Sequence, residues 1–413
     1  MSVTRMRSSV VAAIAVIALG AAACSTNSSG GGSPTGSKET SGAPTTPYVF
    51  GYTSGITGPG AAISKGELVG LNAAFDAVNK AGGVNGRQIK LVTLDSADDP
   101  GRTATNVTEL VKSDGAIAVG GMLGSAECTA TVKLAATYKT PMLCGVADDS
   151  NLKPVNPYVF VKYGSEVTEA KAMLSVVKDR IKQPAPKLGF VFIDLPSARQ
   201  WATSVRAAAA KQGLKTVAFD GIAATTVDLS TEAARLQKAG ATIVLTQIVS
   251  PQVISLDHAL QSQGNPKPIV AEASTADYPT LLSLADPNIY QLMSTPLVDP
   301  TSSQPAVKDY VAAMKTQGVP DTMAGMNGLE YVISYVQPMQ FVEALKTCGA
   351  NCNGTSLAAA LEKSPVNLPG VDTDYSYTSS RHYPQTYFDL ATYNPKTKSV
   401  ENDNTKYYAN PIP

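Results

Sequence analysis

The sequence predicts an α/β protein made of two doubly wound lobes, each built on a central parallel sheet. Three observations predict it. From Tyr48 onward, apolar runs suited to strands alternate with runs of helical spacing, the pattern of βα units joined by right-handed crossovers. The candidate strands "KLGFVFID", "LKTVAFDG" and "ATIVLTQI" are almost continuously apolar, as strands covered on both faces must be. The 413 residues also hold too many such units for one sheet, and that length can bury two cores of ordinary size.

The elements follow in order. "YVFGYT" reads as the first strand, and "AAISKGELVGLNAAFDAVNKA" as a helix with Leu68, Leu71, Ala74, Phe75 and Val78 on one face. Gly82 and Gly83 end that helix, because glycine takes the left-handed cap position cheaply. Asn85-Gly86 then makes a tight turn into the strand "RQIKLVTLD". The stretch Asn79 to Leu91 is therefore punctuation: helix stop, turn, strand start. "GAIAVGGM" and "TPMLCGV" read as strands on either side of the helix "AECTATVKLAATYK". Further on, the helices "TEAARLQKAG" and "PQVISLDHALQSQG" separate the apolar strands, and "KQPAPK" (Lys182 to Lys187) only spaces two elements. No sequence repeat stands out.

Composition excludes several functions. The 33 basic residues balance the 33 acidic ones without a basic cluster, so the positive footprint that nucleic acid demands is missing. No GxSxG, HExxH or GxxxxGK[ST] occurs. "GGVNGR" follows a helix and precedes a strand, the reverse of a dinucleotide loop. Two histidines leave little acid-base material near neutral pH. The expectation is a binding protein, with no catalytic set, cofactor or metal.

Residues 1–24 read as an export signal. Arg5 and Arg7 precede "VVAAIAVIAL" (Val10 to Leu19), a run shorter than the roughly 20 residues of a membrane span. Cys24, at the end of "LGAAAC", resembles the lipidated cysteine of bacterial lipoproteins, with Ala21 departing from the aliphatic residue usual there. Residues 25–47 read as a flexible Ser/Gly/Pro tether of no net charge with nothing to pack. The reading is an exported protein anchored to the outer face of the cell membrane through that lipid alone. Four further cysteines in an exported chain invite two disulfides. Cys348 and Cys352 flank the short loop "GAN", and Cys128 and Cys144 are expected near the carboxyl ends of neighbouring strands. A metal site is the rival reading, disfavoured because no CxxC occurs and His258 and His382 lie far from these cysteines in sequence.

One long stretch carries a family resemblance. "TSGITGPGAAISKGELVGLNAAFDAVNKAGGVNGRQIKLVTLDSADDP" resembles the opening of type I periplasmic binding proteins of the leucine/isoleucine/valine group, with the Gly-Pro loop, long helix, "AGGVNGR" turn and "DDP" in order. "GGMLGS", "FVKYGSE" and "VDLSTEAARL" continue it, over roughly Tyr48 to Asn404. The resemblance implies two lobes joined by three crossings, closing on a ligand by hinge motion. The expected division is 48–162 plus 295–372 for one lobe and 163–294 plus 373–413 for the other. The implied function is capture of a small solute, an amino acid or amide, by a monomer serving an ABC permease and ATPase complex. A sensor feeding a signalling partner uses the same fold, and a structural lipoprotein with a vestigial cleft is a third reading.

The resemblance also implies site positions. Ser125 falls where the family holds a ligand carboxylate, at the start of a helix whose free N–H groups suit an anion. Ala147 and Asp148 fall where the family usually has Ala-Thr, so Asp148 departs and would repel a carboxylate. Tyr163, Gly164 and Ser165 mark the first crossing, with Tyr163 and Ser165 as ligand contacts. In the second lobe, "PSARQW" and "IVS" stand where the family places aromatic rings, and Glu272 is the candidate acid for an ammonium group.

Overall fold

The computed structural model describes residues 45–58, 60–147, 149–163, 166–273, 275, 278–294, 298–320, 331–384, 387–402 and 407–408. Cys24, and the tether up to residue 44, lie outside them. The first sheet contains β1 (Tyr48–Ser54), β2 (Ile89–Asp95), β3 (Ala118–Gly121), β4 (Met142–Cys144) and β5 (Val159–Val161), in the order β2-β1-β3-β4-β5. All its pairs are parallel. The helices α1 (Ala61–Lys80), α2 (Pro100–Lys112), α3 (Ser125–Tyr138) and the single turn α4 (Asp149–Leu152) connect the strands.

The chain then enters the second sheet through α5 (Glu166–Ser175) and a π-helical turn at Val176–Ile181. The parallel strands β6 (Lys187–Ile193), β7 (Lys215–Ile222), β8 (Ile243–Gln247), β9 (Ile269–Ala271) and β10 (Ile289–Met293) alternate with α6 (Pro196–Lys211), α7 (Ser230–Ala239), α8 (Ser250–Ser262) and α9 (Tyr278–Leu284). Their order is β10-β9-β8-β6-β7. Counted from β6, this repeats the order of the first sheet.

Helices α10 (Pro305–Thr316), α11 (Ile333–Cys348) and α12 (Gly354–Leu361) follow, and α10 and α11 pack on α1. Gly70 of α1 lets α11 approach closely, since a Cβ there would stand 2.8 Å from the Ser334 backbone. A small antiparallel pair, β11 (Val366–Leu368) and β12 (Asp372–Tyr375), precedes the return to the second sheet. There β13 (Tyr387–Asn394) runs antiparallel beside β10, and pairs in turn with β14 (Ser399–Asn402) and β15 (Tyr407–Tyr408). The second sheet is thus mixed at one edge, which the alternation of strands and helices did not foretell.

Local chemistry accounts for the elements. The buried runs of β6, β8, β9 and β10 are near-continuous, as a sheet covered by helices requires. Asn85 and Gly86 have φ of 51° and 75° and join Val84 to Arg87 as an antiparallel bridge, the two left-handed residues of a type I′ turn. Asp99 caps α2 by accepting from the Arg102 amide at 2.7 Å, with Pro100 at the first helical position. Aromatic packing anchors each sheet, with Phe75 and Phe341 edge-on to Phe50 at 5.3 and 5.0 Å, and Phe219 against Phe190 and Phe192.

Both cysteine pairs are joined, Cys128 to Cys144 and Cys348 to Cys352. Cys128 stands in α3 rather than at a strand end, so its bridge ties α3 to the end of β4. The chain passes between the sheets after β5, after β10 and after β12. The first and third passages lie side by side. The Val161 amide donates to the His382 carbonyl at 2.8 Å, the Tyr377 hydroxyl donates to Val161 O at 3.1 Å, and the His382 ring stacks on Phe160 at 4.0 Å.

Candidate functional site

The carboxyl ends of both sheets open onto one cavity of about 180 Å³. The first lobe contributes Gly60, Ile63, Asp98, Pro100, the turn from Leu123 to Glu127 and Val146, and Tyr163 lines the cavity at the first crossing. The second contributes Glu169, Ile193, Leu195, Ala198, Trp201, Gln247, Ile248, Val249, Glu272, Ala273 and Phe388. Each sheet reverses its winding between neighbours, β1 and β3 in one, β6 and β8 in the other. Ligands of open α/β sheets sit at such switch points, because the loops on either side part there. Here two switch points share one cavity.

Asp98 ties the rim together. Its carboxylate accepts from the Gly60 amide at 2.7 Å, joining the Gly-Pro loop after β1 to the loop after β2. Glycine is required on the facing side, since a Cβ on Gly55 or Gly60 would lie 2.0 or 2.8 Å from that carboxylate. The "DDP" motif therefore has three tasks: Asp98 clamps a loop, Asp99 caps α2 and Pro100 starts it. Burial pushes the Asp98 carboxyl up, partly offset by the Gly60 hydrogen bond. Nearby, hydrogen bonds from the Thr57 hydroxyl and amide hold Asp95 down at about 2.

Glu127 sits in the first turn of α3 and reaches back to accept from the Gly124 amide at 3.2 Å. Ser96 and Thr103 donate to its other oxygen at 2.7 and 2.9 Å. Desolvation raises its pKa against these three bonds. A carboxylate thus already stands where the positive end of α3 faces the cavity.

Tyr163 links the cavity to a buried ion pair. Its hydroxyl donates to Glu67 at 3.4 Å, and Glu67 is paired with Lys162 and receives the Tyr52 hydroxyl at 2.8 Å. Lys162 also donates to Ser334 Oγ at 3.2 Å. Glu67 and Lys162 are 0% and 3% exposed in their side chains, so only mutual pairing makes their burial tolerable. The pair fixes the end of β5, where the chain leaves the first sheet.

The two lobes also touch across the cavity. The Ser125 hydroxyl, on α3, donates to Gln200 Oε1 on α6 at 3.2 Å. On the second-lobe wall, Glu169 accepts from the Ala273 amide at 2.8 Å, and the Thr275 hydroxyl donates to the Glu272 carboxylate at 3.4 Å. Two buried polar atoms on lining residues lack partners: the Trp201 indole N–H and Gln247 Oε1.

The structure brings Ser125, Tyr163 and Glu272 of the sequence-derived positions to the cavity. Ala147 is a correction. It is fully buried in the core with Cys128 and Cys144, and its neighbour Val146 lines the cavity instead. Asp148 and Ser165 lie outside the described residues. Sequence reasoning missed Glu127, Glu169, Gln247 and Phe388. The Glu127 signal was present, since a glutamate at the third helical position is half of a capping box. Glu169 and Phe388 carry no local signal.

The chain matches the family model described as periplasmic binding protein over residues 47–398. It belongs to the periplasmic binding protein family. It is 22% identical over 343 residues to Leu/Ile/Val-binding protein homolog 3 of Brucella melitensis, covering 83% of this chain and 90% of that protein. In fold, this periplasmic binding protein is similar to a branched-chain amino acid ABC transporter protein of Thermus thermophilus solved with bound valine, at TM-score 0.76 and 16% identity, covering 88% and 97% of the two chains. It is also similar to a solute-binding protein of R. palustris in complex with 4-hydroxybenzoate, at TM-score 0.69 and 16% identity, covering 87% and 96%. Among the described residues, no helix is long and apolar enough to cross a membrane and no cluster of His, Cys, Asp and Glu is suited to a metal.

Proposed function

We propose that this chain is an extracytoplasmic solute-binding protein that captures a small polar metabolite, an amino acid or amide foremost, and delivers it to an ABC permease and ATPase complex. The observation that carries this reading is the single cavity lined from the carboxyl ends of two sheets with the same strand order. A site divided between two lobes converts ligand contacts into closure, which is what a permease must recognise. Ser125, Tyr163 and Glu272 contact the ligand, and the protein binds without catalysing a reaction. The lobes follow 48–162 with 295–372, and 163–294 with 373–413. Export follows residues 1–24, and a lipid on Cys24 holds the monomer at the outer face of the membrane through the tether of residues 25–47.

Thermal unfolding against a broad panel of amino acids, amides, amines, aromatic acids and polyols tests the binding function. A ligand present at a hundred times its dissociation constant stabilises by about 2.7 kcal/mol, so at least one class must raise the midpoint. A panel without a single stabilising member contradicts the proposal.

A further inference from the structure

The second-lobe wall of the cavity holds two neutral polar atoms that the protein leaves unpartnered. Trp201 stands on α6 and is 1% exposed, yet its indole N–H has no acceptor. Gln247 ends β8, and its side-chain oxygen is buried without a donor. Both residues line the cavity, beside the apolar Ile193, Leu195, Ile248 and Val249. The carboxylates of the same wall are engaged within the protein, Glu169 with the Ala273 amide at 2.8 Å and Glu272 with the Thr275 hydroxyl at 3.4 Å.

A buried donor or acceptor left unmade costs its desolvation free energy, so such exceptions in a folded protein require a reason. Here one atom could satisfy the other, since the indole gives a proton and the amide oxygen takes one. They do not bond, so they are set too far apart or at the wrong angle for direct contact. A group lying between them must accept on one side and donate on the other. A carboxamide does both from neighbouring atoms, its oxygen accepting and its nitrogen donating. A carboxylate offers acceptors alone and would leave Gln247 unpartnered, whereas an ammonium group offers donors alone and would leave Trp201 so. Phe190 packs against the Trp201 ring in edge geometry, with centroids 6.3 Å apart, and so fixes the direction of the N–H.

We propose that Trp201 and Gln247 select a ligand bearing a neutral carboxamide group. The indole N–H donates to the carboxamide oxygen, and Gln247 Oε1 accepts from its nitrogen. Neither protein atom is open to solvent in this conformation, so hinge opening admits the group and closure keeps water from competing for it. This assignment rests on the reading of the cavity as a solute site, and names the group that its second lobe reads.

Titration calorimetry with three matched series tests it. The first is 3-methylbutanamide, 3-methylbutanoate and 3-methylbutan-1-ol, and the second 2-phenylacetamide, phenylacetate and 2-phenylethanol. The third is glutamine, glutamate and methionine. In at least one series the carboxamide should bind about tenfold or more tighter than both companions. Trp201→Phe keeps an aromatic ring and removes the donor, and Gln247→Met keeps the chain length and removes the acceptor. Each should weaken the carboxamide about tenfold and close most of its lead. The ligand-free Gln247→Met protein should unfold at an unchanged or higher midpoint, because a buried oxygen without a donor is gone. That variant decides the matter should Trp201→Phe not fold. A carboxylate, alcohol or methionine that equals the carboxamide in every series overturns the assignment, as does a carboxamide lead that survives both substitutions. Failure of every probe while another class of the metabolite panel raises the midpoint overturns the carboxamide assignment alone. A panel without a stabilising member overturns the solute-binding reading with it.

Discussion

The two lobes share a strand order but are held together differently. The first is fastened internally: both disulfides, the Glu67–Lys162 pair and the Glu127 hydrogen bonds all belong to its elements. The second has no cysteine, and supplies most of the apolar cavity wall with Trp201, Phe388 and the turns after β6 and β8. The difference teaches a division of labour. The first lobe spends the carboxylates of Glu67 and Glu127 on internal partners, whereas the second carries the buried, unpartnered indole N–H of Trp201 in the cavity wall.

Breaking the frame should give the largest effect. Glu67→Gln leaves Lys162 charged and buried without its partner, a loss of about 3–5 kcal/mol in denaturant unfolding. The double variant Glu67→Leu with Lys162→Met should recover most of it, because two apolar side chains need no pairing. Equal losses in the single and double variants would show that packing, not charge, decides this site.

The disulfides come next. Cys128 and Cys144 are 16 residues apart and Cys348 and Cys352 only 4, so loop-closure entropy ranks the first above the second, at about 3 against about 2 kcal/mol. Replacing each pair by serines and comparing unfolding midpoints checks the order. The reverse order would move the mechanical role from α3 and β4 to the end of α11.

A pH prediction sharpens the contrast from the second lobe. Burial pushes the Asp257 carboxyl on α8 up to about 6, opposed by the Gln261 hydrogen bond and assisted by Asp286. A raised folded-state value means the native protein holds this proton more tightly than the unfolded chain. Its contribution is therefore most favourable below the ordinary value of about 4, and declines as pH rises towards 6. Asp257→Asn should flatten stability over that interval, measured as unfolding midpoints at successive pH values. An unchanged slope would assign the pH dependence to other carboxylates.

How much of this was legible follows from the range of the interactions. The stretch from Asn79 to Leu91 could be read because helix stop, turn and strand start are set by neighbours in sequence. The cysteine pairs were legible for a related reason, being close in sequence within a compartment that oxidises them. Glu169 was not, because its place in the wall depends on the Ala273 amide, 104 residues away. Phe388 reaches the cavity from β13, an antiparallel strand added beside β10 after the chain has left and re-entered the lobe. Ala147 is buried in the core while its neighbour Val146 lines the cavity, a choice made by the path of the irregular loop after β4, which carries no periodic signal. The shared strand order of the lobes was invisible too, since topology repeats there without sequence doing so.

The smallest expected effect is at the contact between lobes. Ser125→Ala removes the hydrogen bond to Gln200 and, with it, the proposed ligand contact, an expected loss of about 1 kcal/mol or roughly fivefold in affinity for the best-binding panel member. No change would place Ser125 outside the site, leaving it a helix-start serine.

The central claim is that ligand enters the cavity between the two sheets, and the chain offers one built-in reporter. Trp201 is the only tryptophan, and it lines that cavity. Its emission should change saturably during titration with any ligand that raises the thermal midpoint, with a dissociation constant matching the calorimetric one. A ligand that stabilises the protein and binds by calorimetry, yet leaves Trp201 emission unaltered, would contradict the account.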